Sequence, residues 1–355
     1  MGRVYAVASG KGGVGKTTTV ANLGAVLAEA GHETVLVDVD LGMGNLAGAL
    51  GIDADADADA DAGATVHDVL AGSAMVAEAV REGPAGLSVL PASADLDDFG
   101  TADPTRLAAL LDGLDAEFVL LDTSAGLSHD SVEPLRVADE VLLVSTAEPG
   151  ALGDTAKTRE VADRFGTPVW GAVVTRATPE MGREGRRPSG DGPQGGDVGS
   201  VANRLGVTVR GVIPDDPAVS AAAEAGEPLI TAAPDAPATD AYRRLAAELS
   251  GDDSLAPADD ADDGGVVVAD AEVVARGGDD GAGETDEGDT QVTRDGSDTA
   301  TTARGTDHAA DSEATATGGS AAGSDDEDAD EGSTAESTAE DGGNERTGFL
   351  RWLLG

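Results

Sequence analysis

Hydrophobic residues in the first 250 positions fall into short apolar runs that alternate with segments in which apolar residues recur at helical spacing. The runs predict strands at 4–9, 34–38, 87–90, 118–122, 140–145, 169–175 and 207–213. The segments between them predict helices at 17–30, 65–70, 74–81, 105–114, 152–165 and 198–205. Apolar strands separated by helices indicate an α/β fold whose mostly parallel, doubly wound sheet is covered on both faces.

Three stretches depart from this pattern. Residues 53–61 alternate Asp with Ala, which cannot bury a face, so we expect a surface insertion at about 53–63. Residues 178–199 are rich in Gly, Pro and Arg and predict a long flexible loop. From about residue 251 to 345, Asp, Gly, Ala, Ser and Thr dominate. Such a composition buries too little apolar surface to offset the entropy of ordering, and it predicts a disordered acidic linker after a domain at 1–250.

The composition excludes several classes of protein. Without cysteine there can be no disulfide, iron–sulfur cluster or thiolate metal site. No apolar run approaches the ~20 residues of a membrane-spanning helix, and the N-terminal residues show no signal-peptide pattern, so we expect a cytoplasmic protein.

The charge is strongly negative, with 68 acidic and 22 basic residues giving −46. Residues 1–250 hold 39 acids and 17 bases (−22), and residues 251–355 hold 29 and 5 (−24). Such a surface repels nucleic-acid phosphate, so DNA is not expected as a partner. Lysine occurs only at positions 11, 16 and 157. An acidic, lysine-poor chain is typical of a halophilic, haloarchaeal source, the alternative being an acidic mesophilic protein with a disordered tail.

Residues 10–17, GKGGVGKT, fit the phosphate-binding loop pattern GxxxxGK[ST] in full. The loop follows a predicted strand and opens a predicted helix, as the pattern requires. Its glycines let successive N–H groups face the phosphates, and the helix N-terminus adds partial positive charge. We expect Lys16 to reach the β- and γ-phosphates of ATP and the hydroxyl of Thr17 to bind Mg²⁺.

Lys11 goes beyond that generic pattern, because KGGVGKTT resembles the deviant, signature-lysine loop of the MinD/ParA family of positioning ATPases. Three further segments resemble family motifs in the family's order: DVDLGMGNL at 38–46 (first switch), VLLDTSAGL at 119–127 (Walker B and second switch) and GVIPDDPAV at 211–219 (base-binding loop). The resemblance covers about residues 1–250 and is greatest to the MinD branch. It implies a P-loop NTPase fold of the SIMIBI type and an ATPase that is slow without a partner.

The resemblance also implies a role for each matching residue. Lys11 would reach across an ATP-sandwiched homodimer to the other subunit's phosphates, as an arginine finger does, and Asp40 would position the attacking water. Asp38 and Asp122 would hold Mg²⁺ together with Thr17. The residues that would surround the nucleotide are Gly12, Gly13, Val14, Gly15, Lys16, Thr17, Thr18, Asn45, Thr175, Arg176, Pro214 and Asp216.

The chain departs from its relatives at some of these positions. Thr175 stands where they often have Asn, so the contact with the base is left open. The residues themselves also allow Asp38 and Asp40 to be solvated acids at a strand end, and Asn45 to be an ordinary turn residue. Nitrogenase reductase and the iron–sulfur scaffold ATPases share the fold family but need cysteine ligands, which this chain lacks.

The last residues differ from the linker that precedes them. At helical spacing Phe349, Leu350, Leu353 and Leu354 share one side, with Trp352 at its edge and Arg351 elsewhere. This pattern predicts a short interfacial amphipathic helix over 346–355, similar to the membrane-targeting helix of MinD relatives. Alternatives are a helix that folds back on the core and a peptide that docks on another protein.

Two functions follow, in order of preference. The first is a MinD-like ATPase that dimerises on ATP, binds the inner leaflet of the cell membrane reversibly and positions machinery at the division site or pole, with an activating or cargo protein of unknown identity. The alternative is a ParA-like ATPase that partitions chromosomes, plasmids or protein arrays, with the tip as a docking peptide. A third class, an adaptor that binds ATP without hydrolysing it, would release no phosphate.

Overall fold

The computed structural model describes residues 2–257 apart from 53–62, 94, 96–97, 99, 127–128, 179–180 and 182–196. The predicted insertion and most of the predicted loop at 178–199 therefore lie outside the described residues. The same holds for the predicted linker and C-terminal helix, including Phe349, Leu350, Arg351, Trp352, Leu353 and Leu354.

The described strands form one sheet in the order β3-β4-β2-β5-β1-β6-β7-β8. They are β1 (Arg3–Ala8), β2 (Thr34–Val39), β3 (Arg81–Glu82), β4 (Ser88–Leu90), β5 (Phe118–Thr123), β6 (Glu140–Thr146), β7 (Val169–Ala177) and β8 (Val209–Pro214). Neighbouring strands pair in parallel, except that β3 pairs antiparallel with β4. The predicted mostly parallel, doubly wound sheet is confirmed, with strand ends within two residues of prediction.

Helices cover both faces of this sheet. They are α1 (Lys16–Glu29), α2 (Leu46–Ala49), α3 (Val66–Ala71), α4 (Val76–Ala79), α5 (Leu107–Asp112), α6 (His129–Val137), α7 (Pro149–Phe165), α8 (Val198–Leu205), α9 (Pro217–Ala225), α10 (Leu229–Ala232) and α11 (Pro237–Ser250). Alternate residues of β1 enter different cores: Val4 and Ala6 pack with α3, α5 and α8, whereas Tyr5 and Val7 pack with α1 and α11. Burial on both faces explains why these strands read as continuous apolar runs.

Several predicted helices have different bounds. The segment predicted as a helix at 74–81 is only α4, and Arg81–Glu82 instead forms the antiparallel edge strand. The helix predicted at 105–114 begins as a 3₁₀ turn, Pro104–Arg106, before α5. The loop prediction at 178–199 is too long at its end, because Asp197 caps α8, which begins at Val198. Among the described residues, none of the helices is both long and apolar enough to cross a bilayer.

The sheet topology gathers the carboxyl ends of the parallel strands at one edge of the sheet. Ligands of open α/β sheets bind at this edge. The loop after β1 lies between the ends of β5 and β6. Strand register places Asp38 of β2 opposite Asp122 of β5, and Asp122 opposite Val7 of β1. The predicted site residues therefore gather around one loop.

Candidate functional site

The phosphate-binding loop has the backbone that its glycines predict. Gly13 and Gly15 take left-handed conformations, with φ of 74° and 93°, and α1 starts at Lys16, whose side chain is buried. Gly10 lies against the backbone of α7 at Asp154, so closely that a methyl group there would collide with it. The loop thus turns directly from β1 into the N-terminus of α1, where backbone N–H groups favour an anion.

Two buried carboxylates lie next to this loop. Asp38 and Asp122 are each 1% exposed and face each other across adjacent strands. Burial, with the neighbouring Asp122 adding to it, raises the pKa of Asp38 well above its usual value. Burial also raises the pKa of Asp122 to about 6, although a hydrogen bond from Thr17 and the charge of Lys16 oppose the shift.

These acids fit a divalent cation. Oδ1 of Asp122 is buried without a hydrogen-bond partner among the described residues, and the hydroxyl of Thr17 interacts with the same carboxylate. Hard oxygen ligands of this kind suit Mg²⁺, which usually keeps several waters and takes one or two carboxylates. A cation there would offset the repulsion and desolvation that raise the two pKa values.

The segment after β2 curls around Asp38. Oδ1 of Asp38 accepts a hydrogen bond from the N–H of Asp40 (3.2 Å), and Oδ2 of Asp38 accepts one from the N–H of Leu46 (3.1 Å). Gly44 packs against the same carboxylate, where an added Cβ would lie 2.8 Å from Oδ2. The carboxylate of Asp40 is partly exposed and accepts from the N–H of Met43 at 3.3 Å. Asn45 is exposed at the start of α2, without capping it.

Lys11 occupies a different environment from Lys16. Its side chain is 50% exposed, and Nζ pairs with Oε2 of Glu148 at 3.2 Å. The hydroxyl of Ser9 donates to the Lys11 carbonyl at 2.9 Å and fixes the backbone there. An exposed ion pair of this kind is worth about 0–1 kcal/mol, so the ammonium group can exchange its partner at little cost.

A cavity of about 170 Å³ lies on the other side of the loop. Its lining includes all four residues predicted to frame the base, together with parts of the loop, α1, α9 and α11: Val14, Gly15, Thr18, Thr175, Arg176, Ile213, Pro214, Asp215, Asp216, Val219, Ser220, Ala223 and Tyr242. The structure thus brings the ends of β7 and β8 together beside the phosphate-binding loop, as the motifs predict.

Two of the predicted base-site residues are already engaged with the backbone. The hydroxyl of Thr175 donates to the carbonyl of Val14 at 2.6 Å and so ties β7 to the phosphate-binding loop. The carboxylate of Asp216 accepts from the N–H groups of Ala218 (2.9 Å) and Ala238 (3.2 Å). Asp216 therefore joins the first turns of α9 and α11, and its carboxylate shapes the cavity by fixing two of its walls.

Two other lining residues have unusual surroundings. Arg176 takes a left-handed φ of 51°, which is uncommon for a residue other than glycine and is associated with functional sites. Tyr242 of α11 is fully buried, and burial raises its pKa to about 12. Sequence reasoning missed Tyr242 because the many alanines of α11 hide its apolar spacing; a helix traced from Pro237 would have placed Tyr242 on the buried face.

The sheet order, the loop and the buried acids together define a P-loop nucleotide-binding protein. Comparison with known families agrees, since residues 5–229 match the model of the CobQ/CobB/MinD/ParA nucleotide binding domain. The chain belongs to this family, and it is a MinD/ParA-type P-loop ATPase.

Individual relatives match over most of their length. An uncharacterised ATP-binding protein of Methanocaldococcus jannaschii is 35% identical over 71% of this chain and 89% of its own. The cell division ATPase MinD of Pyrococcus furiosus is 33% identical, with a TM-score of 0.60, over 71% of this chain and 99% of its own. The septum site-determining protein MinD of Pyrococcus horikoshii, solved with Mg-ADP, is 31% identical, with a TM-score of 0.60, over 70% of this chain and 96% of its own.

Proposed function

We propose that this chain is a MinD-like ATPase that dimerises on ATP, binds a membrane through its C-terminal segment and leaves it on hydrolysis. In this role it would position cellular machinery at a division site or pole. The observation that carries the proposal is the separation of the two loop lysines, because Lys16 is buried at the start of α1 whereas Lys11 is exposed beside Glu148. The MinD proteins among the solved relatives support it.

The nucleotide would lie along the carboxyl edge of the sheet. Backbone N–H groups of residues 12–18 and the ammonium group of Lys16 would bind the phosphates, and the cavity beside Thr175 and Pro214 would take the base. Thr17, Asp38 and Asp122 would hold Mg²⁺, directly or through water, and the ion supplies charge neutralisation on the phosphate oxygens when bound.

Hydrolysis would need two copies of the chain. The exposed ammonium group of Lys11 would release Glu148 and reach the phosphates bound by the other subunit, adding positive charge where the transition state gains negative charge. The partly exposed carboxylate of Asp40 would orient the attacking water. Because this arrangement requires a partner subunit, ATP turnover and dimerisation are coupled.

The C-terminal residues would convert dimerisation into membrane binding. One short amphipathic helix at 346–355 binds weakly, whereas two on one dimer gain avidity from their effective concentration. An ATP-bound dimer would therefore stay on the membrane, and its monomers would leave after hydrolysis. An activating or cargo protein, of chemistry that the chain does not specify, completes the cycle.

Liposome sedimentation tests this cycle. The full chain should pellet with vesicles of mixed zwitterionic and anionic lipid in ATP, and far less in ADP or after deletion of residues 348–355. A Lys16→Ala variant, impaired in phosphate binding, is the control for the nucleotide requirement. Absence of ATP-dependent pelleting, combined with ATP-dependent binding to duplex DNA at high salt, would instead support the partitioning function.

A further inference from the structure

His67 lies in the first turn of α3, outside the nucleotide site described above. It is 1% exposed, and its ring is placed between the loops that follow β2 and β4. Nε2 lies 2.9 Å from the carbonyl oxygen of Leu41, and Nδ1 lies 3.0 Å from the backbone nitrogen of Ser93. One imidazole ring thus connects the ends of two neighbouring strands.

These two partners fix the protonation of the ring. The carbonyl of Leu41 can only accept a hydrogen bond, and the N–H of Ser93 can only donate one. Both hydrogen bonds therefore form together only when Nε2 carries a proton and Nδ1 is bare. No other placement of the ring protons satisfies both backbone groups.

The Leu41 carbonyl is one residue from Asp40, the residue proposed to orient water. The same segment is also held by the carboxylate of Asp38, which accepts from the N–H groups of Asp40 and Leu46, and by the N–H of Met43, which donates to Asp40. Asp38 is also a proposed Mg²⁺ ligand, so its contacts would respond to the bound ion. His67 holds the segment from the opposite side and from a helix outside the lining of the base cavity.

The helix that carries His67 is itself well anchored. The N–H of Thr65 donates to the carboxylate of Asp68 at 2.9 Å, which caps α3. The N–H of Val66 donates to the carbonyl of Pro91 at 2.9 Å and attaches α3 to the end of β4. The ring is therefore a fixed support, against which the switch segment is placed.

We propose that His67 is a positioning residue for ATP hydrolysis, and that its Nε2–H bond to Leu41 sets where Asp40 holds the attacking water. This inference rests on the proposed function. A small displacement of a positioned group can lower turnover by as much as about 10²-fold without changing substrate binding. The bond to Leu41 should therefore affect kcat, and the bond to Ser93 should affect stability alone.

Two matched variants of the full chain separate these bonds. In His67→Gln the amide nitrogen can replace Nε2 and donate to Leu41, whereas in His67→Asn the amide oxygen can replace Nδ1 and accept from Ser93. Each variant leaves one backbone group unpaired, the N–H of the partly buried Ser93 in Gln and the carbonyl of the buried Leu41 in Asn, so both should lose stability. We expect kcat within about threefold of wild type for Gln and about tenfold or more below it for Asn, with similar KM for ATP.

Hydrogen exchange gives an independent readout. In the Asn variant the amides of residues 40–46 should exchange faster than in the Gln variant, while the central strands exchange alike. If the Asn variant does not fold, the Gln variant decides: turnover near wild type supports the inference, and a tenfold loss overturns it.

The result can be distinguished from failure of the proposed function. If Asp40→Ala hydrolyses ATP at the wild-type rate, the proposed mechanism fails and this inference with it. If Asp40→Ala is inactive while the His67→Asn and His67→Gln variants have equal kcat, only the role of His67 is overturned.

Discussion

Lys11 and Lys16 have opposite surroundings although only four residues lie between them. Lys16 is buried where α1 begins, whereas Lys11 is half exposed and paired with Glu148, which is itself 68% exposed. A weak pair of this kind keeps the ammonium group in place without holding it strongly. Two identical side chains of one loop therefore lie in different environments, one buried and one exposed.

Replacing Lys11 with Ala should stop turnover without stopping ATP binding. A cation supplied in trans to a phosphoryl transition state contributes about 10³–10⁵ in kcat, so we expect phosphate release to fall by at least about 10²-fold while the Kd for ATP changes by only a few-fold. Lys157→Ala is the matched control, because Lys157 is also exposed and paired, with Asp154 at 2.9 Å. Normal turnover in Lys11→Ala would refute the proposed mechanism.

The raised pKa of Asp122 predicts a pH-dependent stability in the absence of Mg²⁺. Because its pKa rises from 3.8 to about 6 on folding, the folded state binds more protons, and stability falls as pH increases through that interval. Asp122→Asn, which cannot ionise, should match wild type near pH 4 and exceed it above pH 6 in thermal melts with chelator.

The measurement has an internal check. Addition of Mg²⁺ and nucleotide should stabilise wild type more than Asp122→Asn, because the Asn side chain carries no negative charge with which to bind the cation. If the difference in Tm between the two proteins is the same at all pH values, the buried acid is not the cause.

At the level of helices and strands, the sequence predicts those elements whose burial leaves a clear pattern of apolar residues. The central strands are found within two residues of their predicted ends, because both of their faces are buried and their apolar runs are unbroken. Helix α6 is missed because it contains Pro134 and opens with polar residues, and α11 because small alanines form much of its buried face. Edge strand β3 has two residues and no apolar pattern to detect.

The residues of the candidate site also fall into those that the sequence predicts and those that it does not. The phosphate-binding loop, the paired acids and the base loop are local motifs, so the sequence predicts their residues and the fold brings them together. Tyr242 and His67 join the site or its support only through contacts distant in sequence, such as the 26-residue separation between His67 and Leu41. Local patterns carry no information about such contacts.

Asp216 joins the first turns of α9 and α11, and this contact predicts the effect of replacing it. Removing its carboxylate leaves the N–H groups of Ala218 and Ala238 unpaired, and loss of such a cap costs about 1–2 kcal/mol. Asp216→Ala should therefore lower the free energy of unfolding by about this amount and weaken nucleotide binding. Asp215→Ala is the control: Asp215 is exposed and its backbone N–H, bonded to Ala177, is retained. Equal stability of the two variants in urea unfolding would contradict the assignment.

Across the complete chain, the charge of −46 opposes the association that the proposed function requires. Two copies must approach closely, and each carries 39 acidic against 17 basic residues in positions 1–250. The Debye length falls from about 10 Å at 0.1 M salt to about 3 Å at 1 M, so concentrated salt removes most of this repulsion. Salt is thus expected to act on assembly as well as on folding.

Dimerisation should accordingly become stronger with salt. For an Asp40→Ala variant held in ATP, we expect the dimer dissociation constant to fall by about tenfold or more between dilute and molar KCl, measured by sedimentation velocity. Sucrose at matched viscosity is the control for non-ionic effects. A dimer that dissociates as KCl increases would show that attraction between opposite charges, rather than screened repulsion, dominates the interface.

Helix α11 also contributes Tyr242 to the cavity beside the phosphate-binding loop. The side chain of Tyr242 lines the cavity, and the carboxylate of Asp216 accepts from the N–H of Ala238 at the start of the same helix. An expression boundary drawn between Pro237 and Tyr242 would leave every recognisable motif in place and yet remove Tyr242 from the cavity lining, and one drawn between Tyr242 and Ser250 would shorten the helix that carries it. Minimal versions of this enzyme must therefore be cut beyond Ser250, even though nothing in the helix resembles a signature.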